Sequence, residues 1–198
     1  ADRVRRRPTV IFGSDGIEGC EHSVFEILSN SVDEAREGHG DKIIVTRYRD
    51  GSVSVEDFGR GIPVDYNERE GRYNWELVFC ELYASGKYQN NTGESYEFSL
   101  GTNGLGLCAT QYASEYMDAE IYRDGFKYSL HFEKGENVGG LKKEAAGRRQ
   151  TGSKIHWRPD REVFTDTDIT LEYYQEVLRR QAAVNAGVHF ILKNQGPE

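Results

Sequence analysis

A polar face on one predicted helix constrains this chain more than any other sequence feature. Residues 22–35 read HSVFEILSNSVDEA, and at roughly 100° per residue they separate into two faces of a helix. The apolar face consists of Val24, Phe25, Leu28, Val32 and Ala35. The polar face consists of Glu26, Asn30, Asp33 and Glu37, with Glu34 at its edge. The apolar face predicts a helix that packs against a core.

The polar face has two interpretations. Most such faces are simply solvated, but solvent faces usually interleave Lys with Glu, and no Lys or Arg occurs between residues 8 and 35. Asn is also a poor helix former. A carboxylate and an amide oxygen one turn apart, such as those of Glu26 and Asn30, can instead hold a water molecule and a hard cation. The pattern therefore favours a site for phosphate chemistry.

Composition limits what the rest of the chain can be. The chain has 198 residues and 37% hydrophobic content, which is enough to bury one sizeable core. We therefore predict one domain over residues 1–198. No run of eighteen apolar residues occurs, so we expect a cytoplasmic protein without membrane contact. A net charge of −8 argues against this segment binding DNA by itself. Cys20, Cys80 and Cys108 form no CxxC pair and are predicted to be free thiols in a reducing compartment.

The order of predicted elements indicates an α+β fold, with helices layered on one face of a mixed sheet. We predict helices at 22–35, 75–84, 105–114 and 171–184, and strands at 42–48, 52–57, 118–123, 126–133, 154–158 and 188–193. Residues 8–12 are predicted to be extended, and the arginines at positions 3, 5, 6 and 7 to form a flexible, solvated end. The polar segment 85–106 is too long for an ordinary connection and is predicted to be a lid.

Two further segments are candidate walls of the same site. Asp57 ends a predicted strand directly before Gly59 and Gly61, where a carboxylate can accept a hydrogen bond from an exocyclic amine such as that of adenine. A simple turn explains Asp and Gly equally well when this segment is taken alone. The tripeptide at 57–59 matches the DFG of protein kinases, but the other kinase motifs are absent.

The third candidate wall is the segment LGTNGLG at residues 100–106. Its glycine spacing at a helix start suits phosphate binding by main-chain N–H groups. Because it follows a long loop rather than a strand, it is not a Rossmann fingerprint. Lys87, at the near edge of the predicted lid, can reach terminal phosphates as a point charge.

Together and in this order, the three segments resemble the nucleotide-binding boxes of the GHKL ATPases. More specifically, the sequence resembles that of the gyrase B family of type IIA topoisomerases. The segments that carry this resemblance are residues 24–35, 59–65, 84–88, 123–125, 132–135 and 151–153. The resemblance covers essentially the whole chain. It implies a Bergerat-type ATP-binding fold that uses ATP and Mg²⁺, and it corresponds to the N-terminal ATPase domain.

The resemblance also implies a role for individual residues. Glu26 would be the general base for the attacking water, Asn30 the Mg²⁺ ligand, and Asp57 the partner of the adenine amine, with Ser153 helping through water. Arg60 would pair with Glu34 at the mouth of the site. Lys87 would be the second catalytic residue, beside Glu26. The remaining implied nucleotide contacts are Ile62, Pro63, Tyr96, Gly101, Asn103, Gly104, Leu105 and Gly106.

Two departures from the family pattern carry predictions. The lid sequence at 100–104 lacks one glycine and a histidine that the family usually has, so a nucleotide-sensing clamp with little turnover is an alternative to an ATPase. Ser129 stands where the resemblance implies an arginine at the pocket mouth, which predicts weak binding of coumarin inhibitors.

The resemblance has further implications for the whole protein. It would be a homodimer that closes a clamp around DNA with a gyrase A-like subunit, and DNA would be bound by the full complex. The 198-residue fragment, lacking most of the family's N-terminal arm and its transducer domain, is expected to be a monomer with little hydrolysis. A histidine-kinase ATP-binding domain is the other alternative, disfavoured by the long segment 118–193.

Overall fold

A computed structural model describes residues 1–82 and 106–196. Within these residues the helices are Asp2–Arg6 (α1), Pro8–Phe12 (α2), Ile17–Arg36 (α3), Asn74–Cys80 (α4), Gly106–Tyr112 (α5) and Leu171–Val184 (α6). The strands are Lys42–Arg47 (β1), Val53–Asp57 (β2), Tyr66–Asn67 (β3), Arg72–Tyr73 (β4), Ser114–Arg123 (β5), Phe126–Glu133 (β6), Glu136–Asn137 (β7), Lys142–Ala145 (β8), Gly152–Pro159 (β9) and His189–Asn194 (β10).

One mixed, mainly antiparallel sheet organises the described residues. Its strand order is β10-β1-β2-β9-β5-β6-β7, with β8 also paired to β6. Only the β1–β10 pair is parallel among these pairings; the others are antiparallel. Strands β3 and β4 form a separate small hairpin, which the sequence patterns did not predict. The observed α+β layer confirms the predicted fold class.

The core lies between the sheet and helix α3, and alternation along the strands decides which residues enter it. On β9, Ile155 and Trp157 are buried whereas Lys154 and His156 are only half-buried, as expected when successive side chains point to opposite faces. We call the face that carries Ile155 and Trp157 the inner face, and the opposite one the outer face. Helix α3 packs on the inner face against β1, β2 and β9.

The N-terminal predictions were wrong for residues 8–12 and for Arg5, whereas Arg3, Arg6 and Arg7 are exposed as predicted. Residues 8–12 form helix α2, whose first residue is a proline, a position that tolerates the missing N–H group. The arginines are not all solvated, because Arg5 donates hydrogen bonds to the carbonyl oxygens of Tyr112 (3.0 Å) and Ser114 (3.2 Å) and pairs with Asp160. These partners are more than 100 residues away in sequence, so no local pattern reveals them.

Other predicted elements appear with shifted ends. The central helix begins at Ile17, five residues earlier than predicted, and α4 ends at Cys80 because Glu81 is extended. Helix α6 has the predicted bounds. The three cysteines are free thiols, as predicted. Among residues 1–82 and 106–196, no helix combines the length and apolar character that crossing a membrane requires.

Candidate nucleotide-binding site

Three residues on the polar face of α3, Glu26, Asn30 and Glu34, are buried, which excludes the solvated interpretation for these positions. Farther round the face, Asp33 is half-buried and Glu37 is exposed. Glu26 is 3% exposed and Asn30 is 6% exposed, although neither belongs to the apolar stripe. Glu34, one further turn along, is equally buried. Burying polar and charged groups is costly unless they are paired or serve a site, so the three positions mark the side of α3 where a site is expected.

Two oxygen atoms on this face have no hydrogen-bond partner among the described residues. They are Oε2 of Glu26 and Oδ1 of Asn30. Buried polar atoms are nearly always satisfied, so each unpaired one needs an explanation. Carboxylate and amide oxygens are hard ligands that suit Mg²⁺. The described residues contain no group of three or more acidic, His or Cys side chains placed to hold a metal, so a cation here would need phosphate and water oxygens as well.

His22 contacts Glu26, although no sequence motif had singled it out. Its Nε2 lies 3.1 Å from Oε1 of Glu26, one helical turn away. This hydrogen bond raises the pKa of His22, although partial burial opposes the shift. The contact fixes the rotation of the Glu26 carboxylate and leaves Oε2 directed elsewhere. The i, i+4 spacing of a His and a Glu on one helix was the available signal.

Asp57 lies buried at the end of β2, facing α3. Its Oδ2 accepts a hydrogen bond from the Ser31 hydroxyl (2.7 Å) and its Oδ1 accepts one from the amide of Gly59 (3.0 Å). Burial raises the pKa of Asp57 to about 6, against the effect of these hydrogen bonds, and the nearby Glu34 charge adds to the increase. A carboxylate has room for about four hydrogen bonds, so Asp57 can accept further donors.

Close backbone approach makes two glycines necessary around Asp57. A Cβ at Gly59 would lie 2.6 Å from Oε2 of Glu34, and a Cβ at Gly152 would lie 2.1 Å from the carbonyl oxygen of Asp57. Gly152 also has a φ of +148°, which side chains rarely adopt. Both glycines therefore keep β2, β9 and α3 close together at this end of the sheet.

Glu34 and Arg60 form an ion pair at the mouth of the site. Nη2 of Arg60 lies 2.6 Å from Oε1 of Glu34, and the main-chain amide of Arg60 donates to Oε2 at 2.9 Å. The Arg60 side chain is 31% exposed, so the pair reaches from the interior to solvent. The pairing that the resemblance implied is present, while its role in nucleotide binding stays a prediction.

A narrow slot lies between α3 and the inner face of the sheet. It is lined by Ile27, Asn30, Ser31, Glu34, Asp57, Ile62, Leu107, Ser153 and Ile155. Pro63, the next residue after Ile62, is also buried. The hydroxyl of Ser153 accepts a hydrogen bond from the amide of Ile62 (2.8 Å), which ties the two walls together. The enclosed volume is about 10 Å³, room for roughly one water molecule, so a purine ring enters only if the slot widens.

Several predicted site residues lie outside the described residues. They are Lys87, Tyr96, Gly101, Asn103, Gly104 and Leu105. Gly106 is described; it begins α5 with a φ of +54°, and the next residue, Leu107, lines the slot. The structure therefore brings Asn30, Glu34, Asp57, Ile62 and Ser153 together.

The prediction about Ser129 was wrong. Ser129 lies on β6 between the buried Tyr128 and Leu130, and it borders a cavity with Lys154 and His156, which are outer-face residues. The slot opens on the inner face, so Ser129 is on the other side of the sheet.

A second arginine near the slot, besides Arg60, is Arg123. Its Nη1 donates a hydrogen bond of 3.0 Å to the carbonyl oxygen of Gly61, the neighbour of Ile62. Its side chain is 14% exposed. Residue 129 is not at the mouth because it pairs with Glu120, in the middle of the β5–β6 ladder and on the outer face, whereas Arg123 is at the end of β5.

The fold and slot together define a class of protein: an ATPase-type nucleotide-binding domain, with its site between a long helix and one end of a mixed sheet. Comparison with known proteins agrees. The chain belongs to the family described as Histidine kinase-, DNA gyrase B-, and HSP90-like ATPase, whose profile matches residues 16–162.

Within this family, the chain is similar in sequence to the B subunits of type II topoisomerases. The chain is 38% identical to the B subunit of the type 2 topoisomerase of Aquifex aeolicus over 98% of its own length and 24% of that relative. It is 39% identical to the B subunit of the DNA gyrase of Thermotoga maritima over 93% of its length and 28% of that relative. The chain thus spans about a quarter of the length of these relatives.

A solved structure gives the same answer for the fold. The crystal structure of the 43K ATPase domain of Thermus thermophilus gyrase B, in complex with an aminocoumarin, superposes with a TM-score of 0.82 at 31% identity. The match covers 98% of this chain and 48% of that one. The chain is therefore similar to the ATPase domain of gyrase B, as the sequence motifs predicted.

Proposed function

We propose that this domain binds Mg·ATP in the slot between α3 and the sheet and that, within a longer protein, it hydrolyses the γ-phosphate. One observation carries the proposal. Glu26 and Asn30 lie one turn apart on the same buried face of α3, and each has an unpaired oxygen among the described residues. Asp57 closes the other end of the same slot. The proposed base and cation ligand are thus on α3, and the proposed purine acceptor is at the facing end of β2.

Glu26 is the proposed general base. Because His22 holds Oε1, Oε2 is the atom available to take a proton from a water molecule that attacks phosphorus. The pKa of His22 is raised, first by its hydrogen bond to Glu26, so the imidazole carries a proton more often and donates it to Oε1. His22 is thus a positioning residue. A positioned base typically contributes about 10²–10⁴ in rate.

Asn30 would hold Mg²⁺ through Oδ1. When bound, the ion neutralises negative charge on the phosphate oxygens. The site needs such a cation, because Glu26, Glu34 and Asp57 are buried carboxylates that repel a polyphosphate. The guanidinium of Arg60 does not offset all of this charge, since it is already paired with Glu34.

Asp57 is the proposed acceptor for the adenine amine. Its two present hydrogen bonds, from Ser31 and Gly59, orient the carboxylate without using all its acceptor positions. The water-sized space beside Ser153 suits the water-mediated contact that the resemblance implies. Ile62 and Pro63 supply the apolar side against which a purine ring packs once the slot widens.

For the whole protein we propose that ATP binding closes a dimeric clamp during DNA strand passage by a type II topoisomerase. This rests on the names of the relatives, since the chain covers only about a quarter of them. The partners would be a second copy of the protein and a gyrase A-like subunit, with DNA bound by the complete assembly.

The slot mouth is also the proposed binding place of an aminocoumarin, the class of compound present in the Thermus thermophilus structure. Arg123 lies beside Gly61 at this mouth and offers charged donors in a rigid fork. The expectation of weak coumarin binding depended on Ser129 and has no basis once Arg123 occupies the mouth.

Calorimetry on the 198-residue protein tests the nucleotide proposal. A non-hydrolysable ATP analogue should bind in the presence of Mg²⁺, more weakly without it, and a GTP analogue should bind more weakly still. Equal affinity for the ATP and GTP analogues would contradict the Asp57 assignment. Single-turnover hydrolysis by the longer protein then separates an ATPase from a nucleotide-sensing clamp, because the clamp would bind ATP but fail to cleave it.

A further inference from the structure

A further cavity lies at the end of the sheet opposite the nucleotide slot. Strand β2 runs from Val53 to Asp57, so the β1–β2 turn and the slot are at its two ends. The cavity has a volume of about 160 Å³, which far exceeds that of the slot. It is lined by Arg47, Tyr48, Arg49, Asp50, Gly51, Ser52, Arg158, Pro159, Arg161, Thr167, Asp168, Ile169 and Tyr174.

The charge of this lining differs in sign from that of the chain. Four arginines, at positions 47, 49, 158 and 161, face two aspartates, at positions 50 and 168, whereas the whole chain has a net charge of −8. Like charges gathered around one concavity repel each other and focus an attractive potential on an anion. An ordinary solvated surface of this acidic chain would not be expected to concentrate arginines in this way.

Neighbouring contacts orient the arginines without using all of their donors. Arg47 donates from Nε to the carbonyl oxygen of Ile169 (3.3 Å) and from Nη1 to Oδ1 of Asn194 (3.1 Å). Arg158 pairs through Nε with Glu115 at 3.1 Å. A guanidinium has five N–H donors, so both side chains keep donors for a ligand. Arg161 is exposed and makes no hydrogen bond or ion pair with the described residues.

The turn that forms one wall is held in place by its own hydrogen bonds. Oδ1 of Asp50 accepts hydrogen bonds from both the amide and the hydroxyl of Ser52. The amide of Tyr48 donates to the carbonyl oxygen of Ser52 at 3.0 Å, and Nε2 of His156 lies 2.8 Å from the Ser52 hydroxyl. Oδ1 of Asp50 is therefore engaged by its own turn, and little ordering is needed when a ligand binds.

We propose that this cavity is a phosphate-binding site, distinct from the nucleotide slot. Planar guanidinium groups bind phosphate oxygens in pairs, and Arg47, Arg158 and Arg161 surround the space. The phosphate group can belong to a free phosphate ion or to the backbone of a nucleic acid, since both offer the same oxygens. The inference concerns residues outside the nucleotide slot, so it does not depend on the function proposed above.

The test is an amide chemical-shift titration of the 198-residue protein with inorganic phosphate. Shift changes are expected at residues 47–52 and 158–168 and should follow one binding curve. Changes confined to residues around Asn30 and Asp57 would mean that phosphate enters only the nucleotide slot, which would overturn the proposal. Absence of saturable changes at any residue would overturn it as well.

Substitutions connect the shifts to the arginines. Arg158→Gln/Arg161→Gln should weaken phosphate binding by about tenfold or more. The matched control is Arg179→Gln/Arg180→Gln, which removes the same charge from exposed positions of α6 and should leave the affinity within about twofold. The single variant Arg161→Gln changes only an exposed side chain, so it should fold normally. It should also weaken phosphate binding. Equal affinity in the parent, Arg161→Gln and the double variant would refute the site.

A second titration, with a short single-stranded oligonucleotide, identifies the source of the phosphate group. Binding that perturbs the same residues, competes with phosphate and weakens between about 50 and 200 mM salt would assign the site to a nucleic-acid backbone. Phosphate binding without oligonucleotide binding would assign it to a free anion. Oligonucleotide binding that is unaffected by Arg158→Gln/Arg161→Gln would count against the cavity as the contact.

Discussion

The side chain of Asn30 donates a hydrogen bond from Nδ2 to the main-chain carbonyl oxygen of Glu26, at 3.0 Å. This bond decides which end of the amide faces the slot. With Nδ2 held by the preceding turn of α3, Oδ1 is the free end, and it is the atom that lacks a partner among the described residues. An Asn that bonds back to its own helix is unfavourable for helix stability alone, and here the same bond presents an oxygen to the site.

The role of Glu26 is tested by Glu26→Gln in the longer protein. Turnover should fall by roughly 10²–10⁴, because an amide cannot accept the proton from water. ATP affinity should stay within a few-fold, since the shape of the side chain is unchanged. The control is Glu18→Gln, a more accessible position on the same helix. If Glu26→Gln lost ATP binding but cleaved bound ATP normally, the assignment as base would be wrong.

Asn30→Ala should remove the dependence of nucleotide affinity on Mg²⁺. Loss of the only proposed protein ligand is expected to cost about 1.5–3 kcal/mol of binding free energy with Mg²⁺ present and little without it. Asn30→Asp keeps an oxygen at this position and serves as the matched comparison. Calorimetric titrations of an ATP analogue with and without Mg²⁺ measure the difference. An unchanged Mg²⁺ effect in Asn30→Ala would place the cation elsewhere.

Asp57→Ala should weaken ATP binding by about 1.5–3 kcal/mol, which corresponds to roughly 10- to 150-fold in affinity. The adenine amine would be left unpaired inside a closed slot. Preference for the ATP analogue over the GTP analogue should fall in parallel, because the amine is one of the groups by which the two bases differ. Competition binding of both analogues to parent and variant provides the measurement, and a retained preference would show that another residue reads the base.

The elevated pKa of Asp57 predicts a pH dependence of stability. Since burial raises its pKa from 3.8 to about 6, the folded state binds this proton more tightly than the unfolded state does. The stabilisation is complete below about pH 4 and is lost as the pH rises to about 6, a change on the order of 2–3 kcal/mol.

Comparison with Asp57→Asn, which cannot titrate, isolates this effect. The free energy of unfolding of the parent, relative to the variant, should decrease between about pH 4 and pH 6.5. Urea unfolding at several pH values gives this difference. A difference that stays constant across the range, or increases with pH, would contradict the raised pKa.

Substitutions at Arg123 and at Ser129 should affect aminocoumarin affinity differently. Arg123→Ser should weaken binding by roughly 10- to 150-fold, as expected for losing a charge-assisted hydrogen bond. Ser129→Arg should leave the affinity unchanged, because residue 129 is on the outer face of the sheet. Titration of parent and both variants with one aminocoumarin compares them directly. Tighter binding by Ser129→Arg would show that residue 129 reaches the mouth of the slot.

Much of the fold was predictable from local patterns. Helix α6 has its predicted bounds because apolar residues recur at helical spacing and Thr170 caps the first turn, accepting a hydrogen bond from the amide of Tyr173. The β5–β6 hairpin turns at Asp124 and Gly125, which both have positive φ values, as this dipeptide predicts. Helix α2 was missed because burial of Pro8 and Phe12 against distant residues overrides weak local preference.

For the site, the sequence by itself determined which residues are available and along which helix face they lie. The 3.6-residue period places Glu26 and Asn30 together whatever the rest of the chain does. Only the tertiary structure decided that this face is buried, that His22 engages Glu26, and that Arg123 rather than Ser129 lies at the mouth. Those facts depend on which face of which strand meets α3, and strand pairing joins residues far apart in sequence, where no local pattern reports the register.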